Sequence, residues 1–187
     1  MKKKLIALIS FLCYIICWVQ AADEHYYFKN LSIQDGLSQT TVNAIIQDKK
    51  GFMWFGTKGG LNRYDGMLFR NFKHDMTDNH SLGNNFVTCL YQDNSGNIWV
   101  GTDAGVYIYY SDQEIFIPFD RLSRENTKIE RTVSAISGDK QGRVWIAVET
   151  QGLFCYERKK TDFIIIHCMS SRPMYRASLL IIVEQFG

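Results

Sequence analysis

The chain has 187 residues, 46% of them hydrophobic and 14% aromatic. That is long enough for one ordinary domain and too apolar for an intrinsically disordered one. The net charge of +2 overstates its basic character, because Lys2, Lys3 and Lys4 lie in a segment expected to be removed, and without them 18 bases face 19 acids. No Lys/Arg cluster is large enough for a nucleic-acid surface, so nucleic acid is not an expected partner.

Residues 1–21 read as a secretory signal. Lys2 to Lys4 form the basic start, residues 5–19 an uncharged and mainly apolar core, and Val19-Gln20-Ala21 puts small residues at the −3 and −1 positions of a cleavage site. The alternative is an uncleaved anchor, but the core is short of the roughly 20 residues that span a bilayer. The expectation is export from the cytoplasm. Neither Cys13 nor Cys17 has the small preceding residue of a lipid-attachment site. The remaining cysteines, Cys89, Cys155 and Cys168, are odd in number and show no CxxC spacing, so no disulfide framework is expected. His25, His74, His80 and His167 show no metal-ligand spacing. No cofactor or metal is expected.

Residues 22–41 form a lead-in. An aromatic run at 26–31 resembles an outer strand and is expected to close a ring, and Asp35-Gly36 marks a turn. Residues 42–64, VNAIIQDKKGFMWFGTKGGLNRY, then set a pattern that returns at 87–109 and 133–156. The recurring positions are Asp48, Asp93 and Asp139; Gly51, Gly96 and Gly142; Trp54, Trp99 and Trp145; Gly60, Gly105 and Gly152; and Tyr64, Tyr109 and Tyr156. The period is 45 residues, then 46. Within each copy an apolar strand meets an Asp-to-Gly hairpin turn, where Asp can accept bonds from the turn's own N–H groups and Gly supplies a positive φ. A strand carrying Trp follows, then a Gly turn, a strand ending at Tyr, and a short fourth strand. Four short strands per repeat is the plan of a propeller blade.

The expected fold is therefore all-β: an incomplete β-propeller with blades at 42–86, 87–132 and 133–177, and the start of a fourth at 178–187. The third copy departs from the others. Ala147 replaces the glycine of 56 and 101, one residue is added before Gly152, and Cys155 stands where Arg63 and Ile108 stand. Residues 164–176 read as irregular. SLLIIVEQFG at 178–187 aligns with VNAIIQDKKG, the rival reading being an unrelated tail. Closed propellers need about 4–8 blades. A three-blade arc would leave two apolar faces uncovered, so the chain is expected to be the N-terminal piece of a longer protein whose missing blades are its partners.

The Asp-x-x-Gly-x-x-Trp element differs by one residue from the Asp-box of sialidase propellers and is read as structural, with Asp bracing the turn and Trp packing between blades. Residues 93–97 resemble a calcium loop, but Ile98 and Ala104 occupy its obligatory glycine and acidic positions. The glycines at 56–60 lack the Gly-Lys-Ser/Thr ending of a phosphate loop. No nucleophile elbow occurs, and no catalytic residue is assigned. Ligand contacts are expected among loop residues that differ between copies: Lys58 against Asp103, Asn84-Asn85 against Ser38-Gln39, and Arg131-Thr132.

Residues 31–66, LSIQDGLSQTTVNAIIQDKKGFMWFGTKGGLNRYDG, and 84–110, NNFVTCLYQDNSGNIWVGTDAGVYIYY, resemble the two-component regulator propeller family. The resemblance covers roughly residues 26–163. It implies the periplasmic sensor region of a hybrid two-component system of Bacteroidetes. Such proteins usually have two seven-bladed propellers, a β-sandwich and a membrane helix, then a histidine kinase, a receiver and often a DNA-binding helix-turn-helix. It also implies oligosaccharide ligands and homodimerisation. None of the signalling parts is in this sequence, so the expectation is a non-enzymatic, ligand-sensing piece. The alternatives are a secreted propeller enzyme acting on polysaccharide, an adaptor propeller with protein partners, or a truncated remnant without function.

Overall fold

The computed structural model describes residues 27–122, 128–157 and 163–166, the last four as backbone. The expected export signal and the expected start of a fourth blade lie outside these residues. The chain divides into two compact units, Met1–Asn30 and Leu31–Gly187. In the first, residues 27–30 have no regular secondary structure, and Tyr27 and Phe28 are exposed. No helix among the described residues is long and apolar enough to cross a membrane.

The second unit holds three four-stranded antiparallel sheets, each with its strands in chain order. Blade 1 comprises β1 (Val42–Gln47), β2 (Met53–Thr57), β3 (Gly60–Tyr64) and β4 (Phe69–Phe72). Blade 2 comprises β5 (Val87–Gln92), β6 (Ile98–Thr102), β7 (Gly105–Tyr110) and β8 (Ile115–Pro118). Blade 3 comprises β9 (Val133–Gly138), β10 (Val144–Val148), β11 (Gly152–Tyr156) and β12 (Phe163–Ile166). The last strand corrects one expectation: β12 takes up the start of the stretch read as irregular, because Leu153, Phe154, Cys155 and Tyr156 pair in register with Ile166, Ile165, Ile164 and Phe163.

The inner strands lie side by side, β1 against β5 and β5 against β9. Each has a one-residue irregularity after its first valine, at Asn43, Thr88 and Ser134. Two of these residues fasten one blade to the next: Asn43 Nδ2 donates to the Val87 carbonyl at 2.8 Å, and Thr88 Oγ1 to the Val133 carbonyl at 2.6 Å. Ser134 Oγ instead donates to Ala147 within its own blade, at 3.2 Å.

Blades stack forward face to back face, and period-2 alternation assigns side chains to the two faces. One core joins Trp54, Leu61 and the half-buried Ala44 and Ile46 of blade 1 to Val87, Leu90, Ile98, Val100, Tyr109 and Phe116 of blade 2. A second joins Cys89, Trp99, Val106 and Ile108 of blade 2 to Val133, Ile136, Val144, Ile146 and Phe154 of blade 3. Close approach needs glycine in the second strand. A Cβ at Gly56 would stand 2.5 Å from a Val87 methyl, and one at Gly101 would collide with Cys89 Sγ and stand 2.9 Å from a Val133 methyl. Ala147 holds this position in blade 3, buried with Leu153 on the forward face.

The two outer faces differ. On the back of blade 1, Ile45 is 54% exposed, whereas its counterparts Leu90 and Ile136 are each 8% exposed beneath a preceding blade. On the front of blade 3, Ala147, Leu153 and Cys155 are buried and Trp145 is half-buried. The expectation of two uncovered faces therefore holds for blade 1 and is corrected at these positions of blade 3.

Each connection into a blade carries a buried aliphatic plug: Leu37, Leu82 and Ile129. The first connection is a 3₁₀ turn at Ile33–Asp35, with Ser32 as N-cap and a reciprocal Ser32–Asp35 capping box. It is tied to blade 1 where the Ser38 N–H donates to Asn62 Oδ1 at 2.8 Å and Asn71 Nδ2 to the Gly36 carbonyl at 3.0 Å.

Candidate functional site

The repeated aspartates build one device three times. In blade 1, Asp48 Oδ1 accepts from the N–H groups of Lys50 and Phe52, both at 2.9 Å, and Oδ2 accepts from Trp54 Nε1 at 2.7 Å. In blade 2, Asp93 Oδ1 takes the N–H groups of Ser95 and Asn97, and Oδ2 takes Trp99 Nε1 at 3.0 Å. In blade 3, Asp139 Oδ1 takes Gln141 and Arg143, and Oδ2 takes Trp145 Nε1 at 2.9 Å. The N–H of Gly51, Gly96 or Gly142 closes the turn onto its aspartate's carbonyl, with φ of 91°, 87° and 80°. Burial alone would raise the Asp139 carboxyl. Bonds from Trp145 and from the backbone and guanidinium of Arg143 outweigh it and hold Asp139 below its ordinary value. A carboxylate engaged this way is a brace, with little left to offer a substrate.

The indoles of Trp54 and Trp99 meet the next blade. Trp54, Phe72 and Tyr109 form a three-ring cluster with centroids 5.2–5.8 Å apart. Trp99, Phe119 and Tyr156 repeat it, with the Trp99–Tyr156 centroids again at 5.2 Å. Gly60 and Gly105 lie in the next turn, with φ of 131° and 132°. There Thr57 and Thr102 donate to the Gly60 and Gly105 carbonyls at 2.9 and 2.8 Å. Gly152 has φ of 98°, but Val148 replaces the threonine of this turn, and Thr150 in the longer loop takes a φ of 63°. Tyr64 donates from its hydroxyl to the Gly66 carbonyl at 2.6 Å.

The loop residues singled out as ligand contacts belong to the connections and β2–β3-type turns. Several are engaged within the fold. Ser38 Oγ lies 2.9 Å from Thr57 Oγ1, Gln39 Oε1 accepts the Thr41 N–H, Asn84 Oδ1 the Phe86 N–H, and Asn85 Oδ1 the His74 N–H. The Lys58 ammonium sits 5.2 Å from the centre of the Phe86 ring. The Thr132 carbonyl accepts the Glu149 N–H, and Arg131 is exposed. Asp103 differs: its N–H reaches the Phe86 carbonyl, but its Oδ1 is buried without a hydrogen-bond partner.

Beside these loops a cavity of about 230 Å³ opens between β7, the end of β8 and residues 128–130. Its wall includes Tyr107, Pro118, Asp120, Lys128 and Glu130. Asp120 Oδ1 is also buried and unpartnered. The Tyr107 phenol is pushed up by burial and by the negative charges of Asp120 and Asp103, so it stays neutral. Among the lining residues only Gly105 is a repeat position, so the repeat pattern does not mark this cavity, whose walls come from three separate segments.

Face-to-face stacking of four-stranded, in-order antiparallel sheets places the chain among the β-propellers. Residues 36–59 and 81–104 match the family model described as two component regulator propeller. Each match runs from the connection through the inner strand into the loop after the tryptophan strand. Histidine kinase P4 of Formosa agariphila is 38% identical over 77 residues, which cover 41% of this chain and 5% of that protein. The extracellular domain of the hybrid two component system BT3049 of B. thetaiotaomicron superposes with a TM-score of 0.65 at 28% identity, covering 73% of this chain and 19% of that one. The chain thus spans a small part of the proteins it matches.

Proposed function

We propose that this chain is part of the ligand-sensing propeller of an exported, membrane-anchored hybrid two-component sensor, and that it recognises oligosaccharides without turning them over. The observation that carries the reading is the superposition on the extracellular domain of a hybrid two component system at a TM-score of 0.65 over 73% of the chain. The binding rather than catalytic role is supported by the chemistry of the repeats, since all three recurrent carboxylates are occupied by turn N–H groups and an indole. Ligand binding would bias the packing of this propeller against the domains that follow it, in a homodimeric parent, and so shift a two-state signal across the membrane. The test is a panel of defined oligosaccharides titrated into the chain and into the full-length parent. Saturable binding without product formation supports the reading. Hydrolysis of any bound glycan overturns it in favour of a secreted enzyme.

A further inference from the structure

We propose that the cavity walled by Tyr107, Pro118, Asp120, Lys128 and Glu130 is a subsite for a single polyhydroxylated ring, held by hydrogen bonds from its hydroxyls to Asp120. This rests on the sensing reading above and gives it a location. The cavity, at about 230 Å³, has room for one six-membered ring and its substituents. Its wall carries an aromatic and a proline side chain, two carboxylates and one ammonium. Rings with hydroxyls around an apolar face are complementary to that mixture of flat apolar and hydrogen-bonding groups.

The stronger argument is energetic. A buried acceptor without a donor costs stability, and the cost is larger for a charged group. The turn aspartates show how this fold satisfies a carboxylate, with three N–H donors on Asp48 and four on each of Asp93 and Asp139. Asp120 Oδ1 has no such partner, and neither does Asp103 Oδ1, in the turn just before the cavity-lining Ala104. Lys128 does not neutralise Asp120, because it pairs at 3.9 Å with Glu130 at the exposed rim. An unsatisfied acceptor in the wall of a polar cavity is the arrangement expected where donors arrive with a ligand. Two carboxylates against one ammonium disfavour an anionic ligand, and the neutral Tyr107 phenol adds a further hydrogen-bonding group.

The experiment is a ¹⁵N–¹H titration of the full chain with D-glucose, D-galactose, N-acetylglucosamine, D-glucosamine and D-glucuronate, alongside thermal melts. At least one neutral sugar should shift the amides of Tyr107, Asp120 and Ile129. Asp120→Asn should weaken that binding by about tenfold or more, the loss of a charge-assisted bond, while leaving Tm unchanged or raised. Ala104→Arg, which fills the cavity mouth from an exposed position, should abolish it. The site is overturned by no saturable shift with any neutral sugar, by preference for glucosamine or glucuronate, by equal binding in both variants, or by a fall in Tm for Asp120→Asn. Glycan binding that survives both variants would overturn this site and leave the sensing reading standing.

Discussion

The Trp54 indole N–H donates to Asp48 across the first hairpin at 2.7 Å, and the same indole packs at a tilt against Tyr109 of the next blade. One side chain thus couples the conformation of a local turn to the packing of two sheets. Asp48→Ala removes two turn bonds and leaves a buried indole N–H unpaired, a loss of about 2–4 kcal/mol. Urea unfolding followed by tryptophan fluorescence should show it, and Asp139→Ala should cost less because Trp145 is only half-buried.

Gly101 and Gly51 should respond to alanine for different reasons. At Gly101 the new methyl would strike Cys89 and crowd Val133, an overpacking cost of about 1–3 kcal/mol. At Gly51 nothing lies within 4 Å, and the penalty comes from the φ of 91° alone, about 1 kcal/mol. Pairing Gly101→Ala with Val133→Ala should recover part of the first loss and none of the second, as read by a double-mutant cycle.

Arg63 and Arg70 stand directly opposite each other on β3 and β4, a like-charge pair that is unfavourable by itself. Glu114 of blade 2 bridges them, at 3.3 and 2.6 Å. Glu114→Gln should cost about 0.5–1 kcal/mol, with the difference from wild type shrinking in high salt.

Bonds from Arg70 hold the Glu114 carboxyl below its ordinary value of 4.5, and Asp139 lies below 3.8. A depressed folded-state value gives stability that is full above the unfolded value and lost as pH falls through the folded one. Thermal melts should therefore be flat with respect to these two groups near neutrality and decline below about pH 4.5, with a shallower decline in Glu114→Gln.

Leu82 fills the connection into blade 2 and is fully buried. Leu82→Ala should cost about 2–5 kcal/mol, more than any substitution at the exposed Met67 or Met76.

The blade plan was readable because its signals are local. Asp48, Gly51 and Trp54 fall within one hairpin, so their spacing survives each copy intact. The ring contact of Trp54 with Tyr109 crosses 55 residues, and nothing in the spacing announces it. The plugs escaped for another reason: Leu37 and Leu82 precede their valines by five residues but Ile129 by four, so a slightly shorter third connection breaks the period. Arg63 and Glu114 are invisible to a repeat search because blades 2 and 3 put Ile108 and Cys155 at the arginine position. Residues that differ between copies proved to include many that cap their own loops, such as Gln39, Asn84 and Asn85. Sequence variation does not distinguish a residue that closes a turn from one that greets a ligand.

The irregularity at the head of each inner strand has a consequence for how such arrays grow. Asn43 and Thr88 fasten their blades to the following one through a main-chain carbonyl, which every residue possesses. The latch therefore asks nothing of the identity of the residue that receives it. A duplicated unit inserted between two others would find an acceptor already waiting, and the outer strands could diverge without undoing the inner seam. Lengthening or shortening the series by whole units is thus a mechanically easy change for this kind of chain.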